Sequence, residues 1–171
     1  LIGGKEDEIN TQKTNSRRRH RRDRRGKLSL VGAGPGDILH MSQKARSAIA
    51  DAGVVIGYST YLKLLGDRLL RGKEVIAYGM TQEVERAREA VRKAREGRSV
   101  CVISSGDPGV YGMAGVVLEI LQKGDVKKID VEIIPGILSA TSCASLLGAP
   151  LMTDFAAISL SDLLTSWKEI E

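Results

Sequence analysis

The sequence predicts an α/β fold built on a parallel sheet. From Leu28 onward, runs rich in Val, Ile and Leu alternate with segments of helical periodicity. No two runs are joined by the short turn of a hairpin, so we expect the strands to pair in parallel through right-handed crossovers. Three of the runs end in a glycine-rich turn, and the carboxyl edge of such a sheet is where open α/β folds place their ligands.

Short apolar runs mark six expected strands. In chain order the runs lie at residues 28–33, 53–57, 74–77, 100–104, 131–134 and 155–160. Most of them are rich in β-branched side chains and are bounded by glycine, polar or charged residues, which is typical of strands.

Six helices are expected between and after these strands. They lie at about residues 42–52, 60–65, 81–96, 110–122, 138–147 and 161–171. The helix at 81–96 has the clearest pattern, an apolar stripe formed by Val84, Ala87, Val91 and Ala94. We expect Thr81 to cap its first turn and Gly97 to end it, because a hydroxyl accepts unpaired amide hydrogens and glycine leaves a helix easily.

Composition is that of a globular α/β protein able to bury a core of its own, since 42% of its 171 residues are hydrophobic. Two cysteines lack the spacing of a disulfide framework or a metal site. Cys101 and Cys143 are therefore predicted to be core thiols, and no metal is expected.

No apolar run approaches the roughly 18 residues of a membrane span, and no signal-peptide pattern is visible. We expect a soluble, cytoplasmic protein.

The positive charge lies almost wholly at the start of the chain. The formal net charge is +5, yet residues 1–27 hold ten Lys or Arg against four Asp or Glu, so the remainder is close to neutral. The tail at residues 1–26 lacks hydrophobic periodicity and repels itself, which predicts disorder. It also lacks the aromatic residues of a base-stacking arm, although electrostatic contact with nucleic acid stays an alternative.

Beyond the tail, we expect a cofactor-binding α/β domain at 27–150, followed at 151–171 by a linker and the beginning of a second domain. The last expected helix still continues at Glu171, and the chain begins with Leu1 rather than Met. Both features indicate a piece of a longer protein.

The three glycine turns restrict the ligand class. The first glycine turn is Val31-Gly-Ala-Gly-Pro-Gly-Asp37, the second is Ser104-Ser-Gly-Asp-Pro-Gly-Val-Tyr-Gly112, and the third is Pro135-Gly-Ile-Leu-Ser-Ala140. The first departs from a dinucleotide fingerprint, since Asp37 replaces the last glycine and Pro35 interrupts the helix entry. None of the three turns contains Lys or Arg, which disfavours a ligand that bears phosphate groups. An adenosine with a positive centre suits such turns, and S-adenosylmethionine has both.

The residues resemble those of the tetrapyrrole methylases, S-adenosylmethionine-dependent methyltransferases that act on corrin and sirohaem precursors. The first glycine turn and Ser105-Gly-Asp-Pro108 resemble the two motifs shared by that family. The branch that methylates C17 of precorrin-3B is the most similar in four segments, which lie at 57–61, 79–87, 104–115 and 159–167. The resemblance runs from about residue 27 to residue 171.

The resemblance implies methylation of C17 of precorrin-3B, or of its cobalt counterpart, with ring contraction during cobalamin biosynthesis. It implies S-adenosyl-L-methionine as donor, S-adenosyl-L-homocysteine as product, a corrin precursor as substrate and a homodimer. Members of the family have two α/β domains with the donor bound between them, and this chain corresponds to the first domain.

The resemblance also implies site residues. The positions matched to donor-binding residues of the family are Pro35, Ser105, Gly106, Asp107, Val110 and Tyr111. The family's Ser/Thr-Ala pair falls on Leu138 and Ser139, a departure that removes one hydroxyl while Ser139 offers another at the next position. Tyr58 and Tyr61 are candidates for orienting the macrocycle, because tyrosine joins an apolar ring to a polar tip.

No catalytic residue is assigned. Methyl transfer from a sulfonium is an in-line displacement with a neutral leaving group, so positioning supplies much of the rate. We expect His40 on the surface or packed in a loop. The alternatives are a methylase of another corrin precursor, of uroporphyrinogen-III or of ribosomal RNA, and an inactive half-domain whose tail binds nucleic acid.

Overall fold

The computed structural model describes residues 25–122 and 129–158, which form a five-stranded parallel sheet with helices on both faces. The strands are β1 Gly26–Gly32, β2 Val54–Tyr58, β3 Glu74–Tyr78, β4 Ser99–Ser104 and β5 Ile129–Ile134. They lie in the order β3-β2-β4-β1-β5, and every neighbouring pair is parallel. The expected α/β fold is confirmed, and five of the expected strands agree with the observed ones to within two residues.

Five helices connect the strands or follow them in the described residues. They are α1 Gln43–Asp51, α2 Ser59–Leu70, α3 Glu83–Arg95, α4 Met113–Gln122 and α5 Ser139–Leu146, and a short 3-10 turn at Ile38–His40 precedes α1. Helix α2 is longer than expected and is kinked at Gly66, where φ is +72°. Helix α4 begins three residues later than expected, because Tyr111 takes a left-handed φ of +49°.

The expected capping of the helix at 81–96 is wrong at its start. Thr81 has a φ of +63°, and its hydroxyl donates to the carbonyl of Met80, so α3 begins at Glu83 after Gln82. The end of the helix agrees with the prediction. Gly97 follows α3 with a φ of +80°, a conformation that glycine takes without steric cost.

The expected strand at 155–160 is also wrong over its described part. Residues 155–158 belong to neither a strand nor a helix, and every residue from 151 to 158 is exposed. The edges of the described sheet are β3 and β5, and this segment pairs with neither. Its apolar side chains line a cavity instead. Residues 159–160, the expected helix at 161–171 and residues 1–24 of the tail lie outside the described residues.

The sheet separates two apolar cores. Leu30 and Val102 are fully buried on the face covered by α3 and α4, whereas Val31 and Ile103 are fully buried on the face covered by α1 and α2. Successive strand residues point to opposite faces, so a central strand of a parallel sheet is largely apolar on both faces.

The two cysteines have different surroundings. Cys101 is fully buried in β4, as expected, and burial raises the pKa of its thiol to about 12. The prediction for Cys143 is wrong, because the residue is exposed on α5, a helix that buries none of its side chains. The apolar or small neighbours of both cysteines in the sequence led to the same prediction. In the structure only Cys101 has helices packed over it.

The described residues contain neither a membrane-spanning helix nor a metal-binding cluster. In this part of the chain no helix is long and apolar enough to cross a membrane. No group of three or more His, Cys, Asp or Glu side chains among residues 25–122 and 129–158 is arranged to hold a metal ion.

A charged cluster attaches α3 to the edge strand β3. The ammonium of Lys93 is buried and lies 2.5 Å from Glu74 Oε1, while Arg98 contacts the other oxygen of Glu74 at 2.9 Å. The hydrogen bond from Lys93 is the main reason that the pKa of Glu74 lies below its ordinary value of 4.5.

We predict that Glu74→Gln lowers the melting temperature at neutral pH, because a buried ammonium loses its nearest carboxylate. A carboxyl group whose pKa is lower in the folded state stabilises the protein above its unfolded pKa, and this stabilisation is lost as the pH falls through the folded value. Melting curves from pH 7 to pH 3 should therefore converge for the two proteins. A constant difference across that range would contradict the assignment.

Candidate functional site

The three glycine turns meet at the carboxyl edge of the sheet. Strand β1 lies between β4 and β5, and the register pairs Gly32 with Ser104 and Val31 with Ile134, so the three strands end at the same level. The first and second turns are then joined by an antiparallel bridge. Gly34 donates to the carbonyl of Gly106 at 3.2 Å, and Gly106 donates back to that of Gly34 at 2.9 Å.

Glycine is required where the third turn meets the other two. A Cβ atom on Gly136 would lie 2.1 Å from the carbonyl oxygen of Gly106 and 2.9 Å from that of Gly32. A Cβ atom on Gly32 would lie 2.6 Å from both Gly106 O and Gly136 N. Distances below 3 Å to backbone atoms leave no room for a side chain, so the three backbones are in direct contact.

Asp107 joins the second turn to the third. Its Oδ1 accepts from the backbone N–H of Gly109 at 2.7 Å, and its Oδ2 accepts from that of Gly136 at 3.0 Å. The expectation was that Asp107 contacts the ligand. Among the described residues that line the cavity Asp107 is absent, and both of its oxygens are engaged by backbone amides.

A cavity of about 800 Å³ opens beside the joined turns. Seven of the eight residues matched to donor-binding positions line it, namely Pro35, Ser105, Gly106, Val110, Tyr111, Leu138 and Ser139. Helix α2 forms a second wall with Tyr61, Leu64 and Leu65. The segment at 151–158, which we name the covering segment, contributes a third.

The described walls of this cavity carry no ionised side chain. The acid of the first turn, Asp37, is used elsewhere, because its carboxylate accepts from the backbone N–H of Leu39 at 2.8 Å and begins the 3-10 turn. Apolar side chains, the hydroxyls of Ser105 and Ser139 and the backbone of the turns remain to bind a ligand. This chemistry favours a molecule of moderate size with apolar parts, and it disfavours one that bears phosphates.

The remaining candidates divide between the cavity and its surroundings. The rings of Tyr58 and Tyr61 lie edge to face at 5.1 Å, and only Tyr61 lines the described cavity. Tyr58 ends β2 and is half-buried. His40 is exposed on the 3-10 turn, as expected.

Sequence reasoning gave only Tyr61 of the wall contributed by α2 and missed the wall contributed by the covering segment. Leu64 and Leu65 resemble ordinary core residues in the sequence, and 155–160 resembles a strand. No signal in the sequence marked them. In the structure they stand out because Leu64, Phe155 and Ile158 are each more than half exposed in spite of their apolar side chains.

Residues 27–171 match the sequence profile of the family described as Tetrapyrrole (Corrin/Porphyrin) Methylases. The chain belongs to this family. The match includes all three glycine turns, and the expected resemblance is confirmed.

Three relatives of this tetrapyrrole methylase show how much of the family's length it spans. A cobalt-factor III methyltransferase of Priestia megaterium is 53% identical over 150 residues, which are 86% of this chain and 28% of that protein. A probable cobalt-factor III C(17)-methyltransferase of Salmonella typhimurium is 49% identical, with coverages of 84% and 59%. A precorrin-3B C(17)-methyltransferase of Sinorhizobium is 41% identical, with coverages of 85% and 57%. The chain thus spans less than two thirds of each relative.

Solved structures agree with the assignment to the tetrapyrrole methylases. The methyltransferase CobJ superposes with a TM-score of 0.77 at 35% identity, and the match covers 85% of this chain and 60% of that one. A uroporphyrin-III C-methyltransferase from Thermus thermophilus, solved in complex with S-adenosylhomocysteine, has a TM-score of 0.57 at 30% identity, with coverages of 75% and 54%.

We predict that Gly136→Ala destabilises this tetrapyrrole methylase by about 2 kcal/mol or more, because its methyl group would overlap the backbone of the other two turns. Gly115→Ala is the matched control. A Cβ atom at Gly115 meets open space within α4, where alanine is favoured over glycine by up to about 1 kcal/mol. Urea denaturation measures both variants, and equal stability of Gly136→Ala and the wild type would contradict the contact.

We predict that Asp107→Asn exposes the amides of Gly109 and Gly136 to solvent exchange. Asparagine has one acceptor oxygen, so one of the two N–H groups loses its partner at a cost of about 1–3 kcal/mol. Hydrogen–deuterium exchange measured by NMR should be faster at one or both amides, and unchanged in the control Asp130→Asn on the exposed side of β5. Full protection of both amides in Asp107→Asn would show that the carboxylate does not join the turns.

Proposed function

We propose that the chain is part of an S-adenosylmethionine-dependent C-methyltransferase. It transfers a methyl group to C17 of a corrin precursor, coupled to ring contraction, in cobalamin biosynthesis. The observation that carries the proposal is the uncharged cavity of about 800 Å³ that the three glycine turns form at the carboxyl edge of the sheet. The names of the three relatives, all C17 or cobalt-factor III methyltransferases, support this choice within the family.

The cavity fits S-adenosylmethionine as donor. Its volume lies within the usual range for small-molecule sites. Apolar residues such as Val110 and Leu138 suit an adenine ring, and the hydroxyls of Ser105 and Ser139 suit polar groups. The absence of lysine and arginine from the described walls suits a cation and disfavours a phosphate-bearing ligand. The Thermus methyltransferase solved with S-adenosylhomocysteine supports the same choice.

The donor supplies an electrophilic methyl group on a positively charged sulfur, which leaves as a neutral thioether. The residues of this chain need not supply an acid for that departure. Their work is to hold the donor at a fixed position on a rigid backbone floor and to keep water away with apolar walls. Proximity and orientation of this kind lower the barrier of a two-substrate reaction by several kcal/mol.

The cobalt-bearing corrin precursor is the proposed substrate. The relatives named for cobalt-factor III are 53% and 49% identical to this chain, compared with 41% for the relative named for precorrin-3B. Tyr61 is the proposed contact to the macrocycle, because its ring lines the cavity on the α2 side. Tyr58 supports that ring edge to face.

We also propose that the enzyme is a cytoplasmic homodimer. Helix α5 buries none of its side chains and exposes Leu146 and Leu147, which leaves apolar surface for further chain or for a second copy. Analytical ultracentrifugation of the protein from the full reading frame should give the mass of two chains at micromolar concentration.

We predict that S-adenosylhomocysteine binds with micromolar affinity in isothermal titration calorimetry, to the product of the full reading frame that encodes this chain. NADH should give no binding. Ala140→Trp, which fills the cavity from the first turn of α5, should weaken binding at least ten-fold. Ala144→Trp lies one turn further along the same helix, outside the described cavity wall, and should bind normally.

If the folded protein gives no heat of binding when S-adenosylhomocysteine is titrated into it, the proposed function is overturned. The substrate is tested separately by methyl transfer to cobalt-factor III, precorrin-3B, uroporphyrinogen-III and ribosomal RNA. Mass spectrometry should find a methylated product with the first, and exclusive activity on either of the last two would assign a different branch.

A further inference from the structure

The first glycine turn continues into residues 34–41, which we name the wall segment. Five of its residues line the cavity, namely Gly34, Pro35, Gly36, Ile38 and Met41. The segment is fixed at one end by the backbone bridge between Gly34 and Gly106. At the other end, the side chain of Met41 is buried in the core that α1 and α2 cover. The residues between these two fixed ends are exposed or half-buried.

The hydrogen bonds inside the wall segment are local. The carboxylate of Asp37 accepts from the N–H of Leu39 at 2.8 Å, and its carbonyl accepts from that of His40 at 3.0 Å. The carbonyl of Ile38 accepts from the N–H of Met41 at 3.2 Å. Each of these bonds spans two or three positions. Together they shape the 3-10 turn, and they do not attach it to another element of the fold.

Arg46 attaches this turn to α1. Its guanidinium Nη2 donates to the carbonyl oxygen of Ile38, eight positions earlier in the chain. Helix α1 is itself held in place, because Ala45, Ala48 and Ile49 are buried in the core on that face of the sheet. The hydrogen bond from Arg46 therefore connects the middle of the wall segment to a fixed helix.

The position of Arg46 is unfavourable for the helix that carries it. Arg46 is the fourth residue of α1, and the N-terminus of a helix disfavours a cation because its unpaired N–H groups carry partial positive charge. Lys44, in the same turn, is compensated by a salt bridge to Glu132 at 2.7 Å. Arg46 is compensated by the carbonyl of Ile38. An arginine at this position thus serves the wall segment rather than the helix.

We propose that Arg46 is a positioning residue that holds the wall segment in the conformation that contacts the ligand, and thereby sets the affinity of the cavity. The identity of that ligand rests on the function proposed above. Arg46 is not among the described residues that line the cavity, so it acts through Ile38 and does not touch the ligand. Both partners belong to the sheet domain, so the chain that follows residue 158 is not needed to form the contact.

Lys73 provides a matched control at the opposite end of the same helix. Its ammonium donates to the carbonyls of Ala50 and Ala52 at 2.7 Å and 2.8 Å, and Lys73 does not belong to the described lining of the cavity. Arg46 and Lys73 are therefore both half-buried cations that bind backbone carbonyls next to α1. Substitution by methionine removes the donor from either residue and keeps most of its apolar stem.

The first test measures affinity in the full reading-frame protein. Arg46→Met should weaken the binding of S-adenosylhomocysteine about five- to twenty-fold in isothermal titration calorimetry, as expected for the loss of one charge-assisted hydrogen bond that shapes the site. Lys73→Met should lower the melting temperature and bind with wild-type affinity. S-adenosylhomocysteine has no sulfonium and no net charge, so removal of a nearby cation does not by itself change its attraction to the cavity.

The second test needs no ligand. Hydrogen–deuterium exchange followed by NMR should be about three-fold faster or more at the amides of Leu39 and Met41 in Arg46→Met, because the turn that they belong to is no longer attached to α1. The amide of Ile49, in the buried part of α1, should exchange at the wild-type rate. This pattern separates loosening of the wall segment from unfolding of the helix.

Wild-type affinity for S-adenosylhomocysteine in Arg46→Met would overturn the proposal. Equal weakening in Arg46→Met and Lys73→Met would also overturn it, because the effect would then follow from the stability of α1 and not from the wall segment. If the wild-type protein does not bind S-adenosylhomocysteine at all, the proposed function fails. The exchange rates at Leu39 and Met41 still decide the role of Arg46, which unchanged rates would exclude.

Discussion

The direct backbone contact among Gly32, Gly106 and Gly136 is the constraint on which the rest of the site depends. Because β1 lies between β4 and β5, the turns that leave these strands must share the space above one strand end. Only glycine permits that approach, and Asp107 fixes it by accepting from Gly136 across the junction. The floor of the cavity is consequently backbone. Its position follows from the hydrogen bonds of the sheet and from those that the carboxylate of Asp107 accepts.

The fold could be predicted from the sequence because its signals are local and agree with one another. Largely apolar runs, such as the two that contain Leu30 and Val102, occur where both faces of a strand are covered. The predictions fail where the local sequence pattern depends on a contact with a distant part of the chain. Residues 155–158 are apolar because they face a cavity, and Cys143 lies on a helix that nothing described here covers. Thr81 has the right side chain for a cap but sits in a turn of the wrong backbone conformation.

The candidate site was predictable to the extent that it is made of glycine turns. Their position at strand ends and their lack of basic residues were visible in the sequence, and the structure brings them together. The hydrogen-bond partner of each polar side chain could not be predicted from the sequence. The carboxylates of Asp107 and Asp37 both stabilise turns, an outcome that depends on which backbone amides the fold leaves nearby. The hydrogen bond that Tyr111 donates likewise goes to Ala157, a residue 46 positions away.

A binding floor made of backbone has a consequence for divergence. Side chains around the rim, such as Leu64 and Phe155, can be exchanged without disturbing the atoms that form the floor. Selection for a different ligand can then act on the rim alone, while the junction of the turns stays the same. One scaffold of this kind can accommodate ligands of different shape, since the rim and the floor are encoded by different residues.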